Sequence, residues 1–370
     1  MKSKRELSLK NGFSLQWHIT ERCNWNCSHC YRDRGYNELS IDQLYRIFLQ
    51  FIQFLDTFKI PPQIARLNLT GGEVFLRDDF IVFLKRIYKY NDRYRLKILT
   101  NGSLLNDEKV EMLKTLGVDA VQLSVEGMES VNDRIRGKGT FEQIVNTIEI
   151  LNKNDIPVLV SVTLAKYNLK EIPQLIDFFI KLEVRRIGIR RLVPIGKNQK
   201  RLIDDMISPL EQRDFYRLRH ALAKENYACG SNTKQPTFNS LCCEDGVFFQ
   251  EEELVSQYDN RTIPLCGVLS NRILTVLPNG DVLPCRRLPI VLGNVLKKSL
   301  LEIWFTSELL SRIRNPENLS SVCRNCEYFE LCRGGARCVS YGYFGKLDAP
   351  DPQCWKLFEQ LPPDAFKVCS

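Results

Sequence analysis

The 370-residue sequence lacks the features that would direct the protein into or across a membrane. No stretch approaches the ~18 uncharged apolar residues that a membrane-spanning helix needs. The N-terminal segment MKSKRELSLKNGFSLQW is basic and has no apolar core, so it does not have the pattern of a secretory signal. These absences predict a cytoplasmic protein.

The sequence also lacks a dense run of basic residues. Its formal net charge is +8, but the 52 Lys and Arg residues are scattered along the chain. Nucleic-acid-binding proteins usually gather such residues on one patch, so the scatter argues against a nucleic acid partner. An ordinary basic surface is favoured, and a preference for an acidic substrate or partner is the alternative.

Cysteine is absent between residues 31 and 228, although the chain contains 14 cysteines. Three of them lie at 23–30, and nearly all the others follow residue 240. A reducing compartment disfavours disulfides, and a chain of this length can bury a core without them. The clustering therefore predicts metal or iron–sulfur ligation.

From residue 13 to residue 195, short apolar runs alternate with amphipathic helical stretches. The runs predict strands at 13–19, 65–69, 96–99, 120–125, 158–164 and 186–189. Six such units predict parallel strands joined by right-handed crossovers, in an α/β domain that is either an open sheet or a partial barrel. In both architectures the chemistry collects at the carboxyl ends of the strands.

Several helix starts are marked by capping residues. Capping boxes are predicted from the pairs Ser40 and Gln43, Thr140 and Gln143, and Ser208 and Glu211. Asn106 is predicted to cap a further helix that Gly117 ends.

The segment CNWNCSHC, directly after the first strand, spaces Cys23, Cys27 and Cys30 as C-x3-C-x2-C. A zinc knuckle would need a fourth ligand, for which His29 is available, and a redox thiol needs only one or two cysteines. A [4Fe–4S] cluster held by three thiolates keeps one iron open for a small molecule. The spacing favours this open cluster.

The segment LTGGEVFL places Gly71 and Gly72 where the second strand ends. Two glycines allow close backbone approach of a ligand, and Glu73 can accept hydrogen bonds. A plain turn with a surface acid is the alternative. Beside an open cluster, this backbone and carboxylate could hold an ammonium group.

The two motifs together resemble those of the radical S-adenosylmethionine (SAM) enzymes, over residues 13–195. The resemblance implies a partial (β/α)6 TIM-like barrel, a [4Fe–4S] cluster and SAM, whose amino and carboxylate groups chelate the open iron. One electron from the cluster would cleave SAM to methionine and a 5′-deoxyadenosyl radical, which abstracts a substrate hydrogen.

The resemblance also implies site residues. The cluster ligands would be Cys23, Cys27 and Cys30, and the SAM-binding residues would be Gly71, Gly72, Glu73, Ser124 and Arg136. RLVPIG (191–196) resembles the segment that packs near adenine. This chain departs from the family in having His29 where an aromatic residue is commoner, and Glu126 where Asp is frequent.

The C-terminal cysteines resemble the SPASM extension of some radical SAM enzymes, over residues about 262–358. A pair of zinc ribbons is the alternative. The resemblance implies one or two auxiliary [4Fe–4S] clusters, with Cys323, Cys326, Cys332 and Cys354 on the outer one and Cys266, Cys285 and Cys338 on the inner one. The family spacing points to Ala336 rather than Cys338, so Cys242 or Cys243 is an alternative inner ligand. Cys229 and Cys369 are expected to bind no metal.

These patterns predict five segments. They are an N-terminal extension (1–12), the radical SAM core barrel (13–195), a charged connector (196–261), a small cysteine-rich SPASM domain (262–358) and a C-terminal tail (359–370).

The resemblance implies modification of a peptide or small protein, by crosslinking, epimerisation or oxidation. A sulfatase-maturing activity is disfavoured because Arg286 stands where those enzymes carry Asp, and Arg286 and Arg287 could instead contact acidic groups. The alternatives are side-chain oxidation or rearrangement of a tetrapyrrole precursor, and a non-catalytic iron–sulfur electron carrier or scaffold. The expected partners are a ferredoxin or flavodoxin as electron donor and a separate leader-binding protein.

Overall fold

A ten-stranded sheet organises the protein. The computed structural model describes residues 9, 12–32, 35, 37–228, 237–238 and 266–360. The strands are β1 (Phe13–Thr20), β2 (Ala65–Gly71), β3 (Arg95–Thr100), β4 (Ala120–Val125), β5 (Val158–Leu164), β6 (Arg186–Arg191), β7 (Thr237–Phe238), β8 (Ile273–Val276), β9 (Asp281–Leu283) and β10 (Gly293–Asn294). Their order across the sheet is β10-β9-β8-β1-β2-β3-β4-β5-β6-β7.

The first six strands pair in parallel, each with the next along the chain. Helices connect them, as the alternating pattern predicted. The sheet is open, because the other edge of β1 pairs with β8 rather than with β6. The predicted α/β class with six parallel strands is therefore confirmed.

The helices run in chain order between and beyond the strands. They are α1 (Ile41–Thr57), α2 (Phe80–Ile87), α3 (Asp107–Thr115), α4 (Glu129–Arg136), α5 (Thr140–Lys153), α6 (Ile172–Lys181), α7 (Gln199–Asp205), α8 (Pro209–Ala228), α9 (Leu300–Thr306), α10 (Glu308–Arg314), α11 (Ser321–Arg324), α12 (Phe329–Cys332), α13 (Arg337–Phe344) and α14 (Trp355–Gln360). Helix α7 and the helices of the C-terminal segment, α9 to α14, were not predicted from the sequence.

Alternation along β1 separates the helix-facing side of the sheet from its interior side. Phe13 stacks on Phe54 of α1 with ring centroids 4.2 Å apart, and Trp17 meets Phe83 of α2 at 5.5 Å. Since successive strand residues point to opposite faces, Gln16 and His18 lie on the interior side. The interior of the barrel is therefore lined by polar residues at this strand.

Three of the predicted helix starts are confirmed. The Ser40 hydroxyl and the Gln43 side chain form the capping box of α1. Asn106 accepts from the backbone of Lys109 at the start of α3. At α8, the Ser208 hydroxyl accepts from the Glu211 backbone N–H and the Glu211 carboxylate accepts from the Ser208 backbone N–H.

The capping box predicted for α5 is wrong. Thr140 is the first helical residue, Gly139 is the cap, and no side-chain capping bond forms there. Instead, Asp133 of α4 accepts from the backbone N–H groups of Gly139 and Phe141 and from the Thr140 hydroxyl. A carboxylate seven residues before Thr140 therefore replaces the local cap.

The C-terminal segment continues the barrel sheet. Strand β8 pairs in parallel with β1, with Ser14 opposite Ile273, and β9 pairs antiparallel with β8. Trp304 of α9 meets Phe54 of α1 at 5.2 Å between ring centroids. The cysteine-rich segment therefore shares part of its hydrophobic core with the barrel.

In the part of the chain that the structure describes, none of the helices has both the length and the apolar character needed to cross a membrane.

Candidate functional site

A cavity of about 170 Å³ lies at the carboxyl ends of the parallel strands. All six strands or the loops that follow them contribute to its wall, as does the C-terminal segment through Arg286 and Arg287. It is the region to which the sequence assigned the chemistry. Its lining includes the predicted site residues Cys23, Cys27, Cys30, Gly71, Gly72, Ser124 and Arg136.

The loop that carries Cys23, Cys27 and Cys30 is fixed by its neighbours. Asn24 donates to Ser103 at 2.9 Å and accepts from Asn101 at 2.8 Å, which ties the loop to the end of β3. The backbone N–H of Ser28 donates to the Ile135 carbonyl of α4 at 2.9 Å. The three half-buried thiols therefore border the cavity from a loop held on two sides.

Gly71 and Gly72 pack directly against the chain that leads into this loop. A Cβ on Gly72 would lie 1.9 Å from the Arg22 carbonyl oxygen, and one on Gly71 would lie 2.3 Å from the Thr20 carbonyl oxygen. The Gly72 N–H donates to the Thr20 carbonyl at 2.9 Å. No larger residue fits at either position, so the glycine pair holds the cysteine loop against β2 while its backbone faces the cavity.

Glu73 lies behind the cavity wall and is fully buried. Its carboxylate accepts from the Thr100 hydroxyl and the Asn101 backbone N–H, both at 2.7 Å. Burial raises the pKa of Glu73, although these hydrogen bonds oppose the rise. Thr100 and Asn101 line the cavity and Glu73 does not, so the carboxylate acts on the site through these two residues.

Arg136 is held by Glu126, a residue to which the sequence assigned no role. Its guanidinium contacts the buried Glu126 carboxylate, and its Nη1 lies 3.9 Å from the Cys27 sulfur. The same carboxylate lies 3.2 Å from His29 Nε2. Burial alone would raise the pKa of Glu126, but His29 and Arg136 outweigh it and hold the pKa at about 2.

This contact bears on the zinc alternative at the first three cysteines. His29 uses Nε2 for Glu126, while its Nδ1 has no hydrogen-bond partner among the described residues, so the contact leaves the imidazole able to bind a metal. The three thiols border a cavity, which suits a cluster that spans several ångströms.

Strand β5, the end of β6 and the segment after β6 complete the wall. The RLVPIG segment contributes Arg191, Leu192, Val193 and Ile195, and Arg190 precedes it. Ser124 faces the cavity from β4, and Ser161 and Thr163 face it from β5. The sequence predicted the position of this segment but not the contribution of Arg190.

A second cavity, of about 470 Å³, lies in the C-terminal segment. It is lined by the four cysteines assigned to the outer cluster, namely Cys323, Cys326, Cys332 and Cys354. Burial raises the pKa of the Cys332 thiol, and the neighbouring Cys354 adds to the rise. Buried thiols of this kind ionise when a metal supplies the compensating charge, so the donor set fits an iron–sulfur cluster.

Cys338 is buried near Cys285 and Cys266. Burial, together with the two other cysteines, raises the pKa of its thiol to about 12, although Arg287 and Arg191 oppose the rise. Ala336, where the family spacing points, caps α13 and donates its N–H to Asp351. The structure therefore brings together the three cysteines assigned to the inner cluster. Cys242 and Cys243, like Cys229 and Cys369, lie outside the described residues.

Comparison with known proteins agrees with this site. The chain matches the radical SAM superfamily over residues 17–179 and an iron–sulfur cluster-binding domain, SPASM, over residues 266–327. It is 29% identical to the AdoMet-dependent heme synthase of Methanosarcina barkeri over 347 residues, 92% of this chain and 95% of that protein. It is 28% identical to the mycofactocin maturase MftC of Mycolicibacterium smegmatis over 366 residues, 94% of this chain and 84% of that protein.

The fold is also found in a solved structure. SuiB of Streptococcus suis, crystallised with S-adenosylmethionine, matches 93% of this chain and 77% of its own with a TM-score of 0.70 and 18% identity. This likeness confirms the partial-barrel α/β fold that the sequence predicted.

Proposed function

Because the chain is a radical SAM enzyme with a C-terminal SPASM domain, we propose that it modifies a peptide or small protein whose acidic group binds the arginines at the carboxyl edge of the barrel. Membership of these two families means that the enzyme uses SAM and [4Fe–4S] clusters. The residues that hold them, the substrate and the partners are proposals.

We propose that Cys23, Cys27 and Cys30 ligate the SAM-binding cluster. All three thiols border the same cavity from one fixed loop, and Arg136 lies beside the Cys27 sulfur. When bound and reduced, the cluster supplies the electron that splits SAM and starts radical chemistry. The protein must then orient SAM and keep water from the cavity.

SAM is proposed to bind to the backbone of Gly71 and Gly72 and to the side chains of Ser124 and Arg136, all of which face the cavity. Arg136 has a guanidinium suited to a carboxylate. Glu73 is proposed to position Thr100 and Asn101 rather than to touch SAM, because its oxygens already accept hydrogen bonds from both.

The C-terminal cysteines are proposed to hold one or two auxiliary clusters. Cys323, Cys326, Cys332 and Cys354 line one cavity and would hold the outer cluster. Cys266, Cys285 and Cys338 would hold the inner one, with its remaining iron open or bound by Cys242 or Cys243. The cavity-lining arrangement of the outer set supports this assignment.

One observation carries the proposed substrate. Arg190, Arg286 and Arg287 line the cavity, and its only carboxylate from a described residue is Glu126, which is engaged by Arg136. The guanidinium of Arg286 lies over the Tyr31 ring at 5.9 Å. A wall with this balance of charge favours an anionic group, since guanidinium and carboxylate pair strongly.

A peptide or small protein is the first candidate for the substrate. A peptide can place one residue in the cavity while the rest of the chain lies outside. MftC, which is a mycofactocin maturase by name, is one of the relatives of this chain.

A tetrapyrrole precursor is the second candidate. The heme synthase relative aligns along 95% of its own length, and the carboxylate side chains of such a precursor would suit the same arginines. A single carboxylate side chain could enter the cavity in this case too.

We propose that residues 13–195 form the radical SAM core, that 196–261 connect it to a SPASM domain at 262–358, and that 1–12 and 359–370 flank these units. The electron donor would be a ferredoxin or flavodoxin, a separate protein would bind a leader peptide, and the reaction would take place in the cytoplasm.

The test uses the full chain, reconstituted anaerobically with iron and sulfide, together with SAM and a reductant. It is incubated with the short peptides encoded beside its gene and, separately, with iron coproporphyrin. The assay records 5′-deoxyadenosine and the mass of each candidate substrate. A variant with Cys30→Ala is the matched control, and it should form no 5′-deoxyadenosine.

A change in peptide mass that requires Cys30 would establish peptide modification, and its size would name the reaction. A change in the porphyrin alone would move the assignment to the second candidate. If protein with verified iron content forms no 5′-deoxyadenosine, the proposed cluster and SAM assignments are wrong.

A further inference from the structure

Arg32 closes the loop that carries the three cysteines. It follows Cys30 by two residues, and its side chain reaches back to Glu21, which stands two residues before Cys23. The Arg32 Nη1 donates to the Glu21 backbone carbonyl at 3.1 Å and lies 3.5 Å from the Glu21 carboxylate. One guanidinium therefore joins the two ends of the cysteine loop.

The same guanidinium packs on the second glycine of the pair that ends β2. A Cβ added to Gly72 would lie 2.4 Å from Arg32 Nη1, far inside contact distance. The missing side chain of Gly72 therefore leaves room for the arginine as well as for the Arg22 carbonyl. Arg32 also lines the cavity at the carboxyl ends of the strands, as the three thiols do. It thus lies where the cysteine loop, the glycine pair and the cavity meet.

The charge of Arg32 is buried and permanent. Its side chain is 9% exposed and that of Glu21 is 6% exposed. A guanidinium stays protonated at every pH at which proteins are studied. Burial lowers the pKa of this group, but the neighbouring Cys30, Cys23 and Glu21 outweigh burial and raise it. The guanidinium therefore lies within electrostatic range of two of the three thiols.

Other ionisable groups share this region with Arg32. Glu21 contacts the guanidinium directly, whereas Glu73 receives only a minor influence from it. Burial, with Arg286 and Arg32, lowers the pKa of His18 to about 3, so the imidazole is uncharged at neutral pH. Arg32 and Glu21 therefore form a pair of opposite charges whose members can be removed one at a time.

We propose that Arg32 raises the reduction potential of the cluster held by Cys23, Cys27 and Cys30, by compensating the negative charge of its thiolates. Reduction adds one negative charge to a cluster that already has three thiolate ligands, and net charge is one of the factors that set cluster potentials. A buried cation beside the loop stabilises the reduced form more than the oxidised form, because Coulomb attraction grows with charge. The inference deepens the proposed function and rests on it, since it takes the three-cysteine cluster as given.

The test measures the midpoint potential of this cluster in the anaerobically reconstituted full chain, by redox titration followed with electron paramagnetic resonance. The signal of the cluster is the one that changes when SAM is added. Arg32→Gln removes the charge but keeps a hydrogen-bond donor, and Arg32→Lys keeps the charge. Arg22→Gln is the matched control, because it removes a cation from the same loop whose side chain is 47% exposed.

We expect a more negative midpoint potential in Arg32→Gln than in the wild type, and a potential close to that of the wild type in Arg32→Lys. Glu21→Gln should shift the potential in the opposite direction, because it removes the carboxylate that offsets Arg32. Arg22→Gln should change it much less, since solvent and salt screen an exposed charge. Opposite shifts from the two members of one contact would show an effect of charge, which a disturbed loop would not produce.

The proposal is overturned if Arg32→Gln keeps the wild-type potential, if Arg22→Gln shifts it equally, or if Glu21→Gln fails to raise it. Thermal unfolding and iron content show whether each variant has folded and assembled its clusters. If Arg32→Gln assembles none, the direction of the shift in Glu21→Gln decides.

The variant Cys30→Ala separates this inference from the proposed function. A SAM-responsive signal that persists in Cys30→Ala would refute the cluster assignment, and this inference with it. A signal that is lost in Cys30→Ala but keeps its potential in Arg32→Gln would refute the role of Arg32 alone.

Discussion

Glu126 is the residue on which the arrangement of the cavity wall around Arg136 depends. It follows β4 directly, is 1% exposed, and contacts both Arg136 and His29. Its second oxygen accepts from the Thr163 backbone N–H at 3.2 Å, which ties it to β5. One buried carboxylate therefore fixes a guanidinium, an imidazole and a neighbouring strand.

We expect Glu126→Gln to destabilise the protein and to weaken SAM binding. Loss of the carboxylate leaves the nearly buried Arg136 without its counter-ion, and breaking such a pair typically costs about 3–5 kcal/mol. Denaturant unfolding and equilibrium SAM binding of the reconstituted protein measure the two effects. Glu129→Gln, an exposed change on α4, should stay within about 0.5 kcal/mol. Equal behaviour of the two variants would show that Glu126 does not organise the wall.

Lys97 should make stability depend on pH above neutrality. Its pKa is lowered from 10.5 to about 7 by burial and by four arginines, on β2, on β6 and at position 286. Between these two values the unfolded chain binds a proton that the folded protein does not, so stability rises with pH. The arginines keep their charge throughout this window, and His18 stays neutral.

The stability of the wild type relative to Lys97→Met should therefore increase from about pH 7 to about pH 10. Urea unfolding at several pH values measures this difference, and the comparison cancels the titration of the thiols that both proteins share. Parallel profiles of the two proteins would contradict the lowered pKa. Lys85→Met, which removes an exposed lysine from α2, should reproduce the wild-type profile.

At the scale of elements, the start of α5 shows how a helix can be capped from a distance. Asp133, in α4, accepts from two backbone N–H groups at the start of α5. We expect Asp133→Ala to cost about 1–2 kcal/mol, as loss of a capping carboxylate usually does. Gln143→Ala, which alters the residue once assigned to the capping box, should change the free energy of unfolding by less than about 0.5 kcal/mol. Chemical denaturation measures the free energy of unfolding of both variants. A larger loss of stability in Gln143→Ala than in Asp133→Ala would show that the local capping box forms after all.

The strands could be predicted from the sequence because their signal is local. β4 and β5 have the predicted bounds, and the Ser40 and Asn106 caps depend on residues three positions away. The α5 cap could not be predicted in this way, because Asp133 reaches it only after the chain folds back. β6 extends beyond its apolar run since Arg190 and Arg191 are strand residues with cavity-facing or buried roles.

The same distinction between local signals and long-range contacts applies to the candidate site. Cys23, Cys27 and Cys30 could be found from their spacing, and so could Gly71 and Gly72. The position of Glu73 behind the wall, the pairing of Glu126 and the cation at Lys97 could not, because each depends on contacts between different strands. The one available signal for Lys97 was a charged residue inside an otherwise apolar strand.

At the scale of the whole molecule, the barrel and the cysteine-rich segment share one sheet and one buried ion pair. β8 extends the sheet from β1, and Arg191 at the end of β6 binds Asp351, three residues before Cys354. The two bonds of this pair are 3.1 Å and 2.9 Å long, and both side chains are buried. Asp351 also accepts the backbone N–H of Ala336, so a single carboxylate connects the cavity wall to α13.

We expect Asp351→Asn to lower the stability of the barrel and of the cysteine-rich segment together. Removing one charge leaves Arg191 buried without its counter-ion, at a typical cost of about 3–5 kcal/mol. Glu327→Gln removes the exposed pair with Lys356, 3.4 Å apart, and should cost no more than about 1 kcal/mol.

Thermal unfolding followed by circular dichroism reports on the barrel, and loss of visible absorbance reports on the clusters. Both transitions should move to lower temperature in parallel in Asp351→Asn, because the pair lies between the two units. A shift of the absorbance transition alone would mean that Asp351 stabilises only the cysteine-rich segment, and that the barrel holds its active-site wall without it.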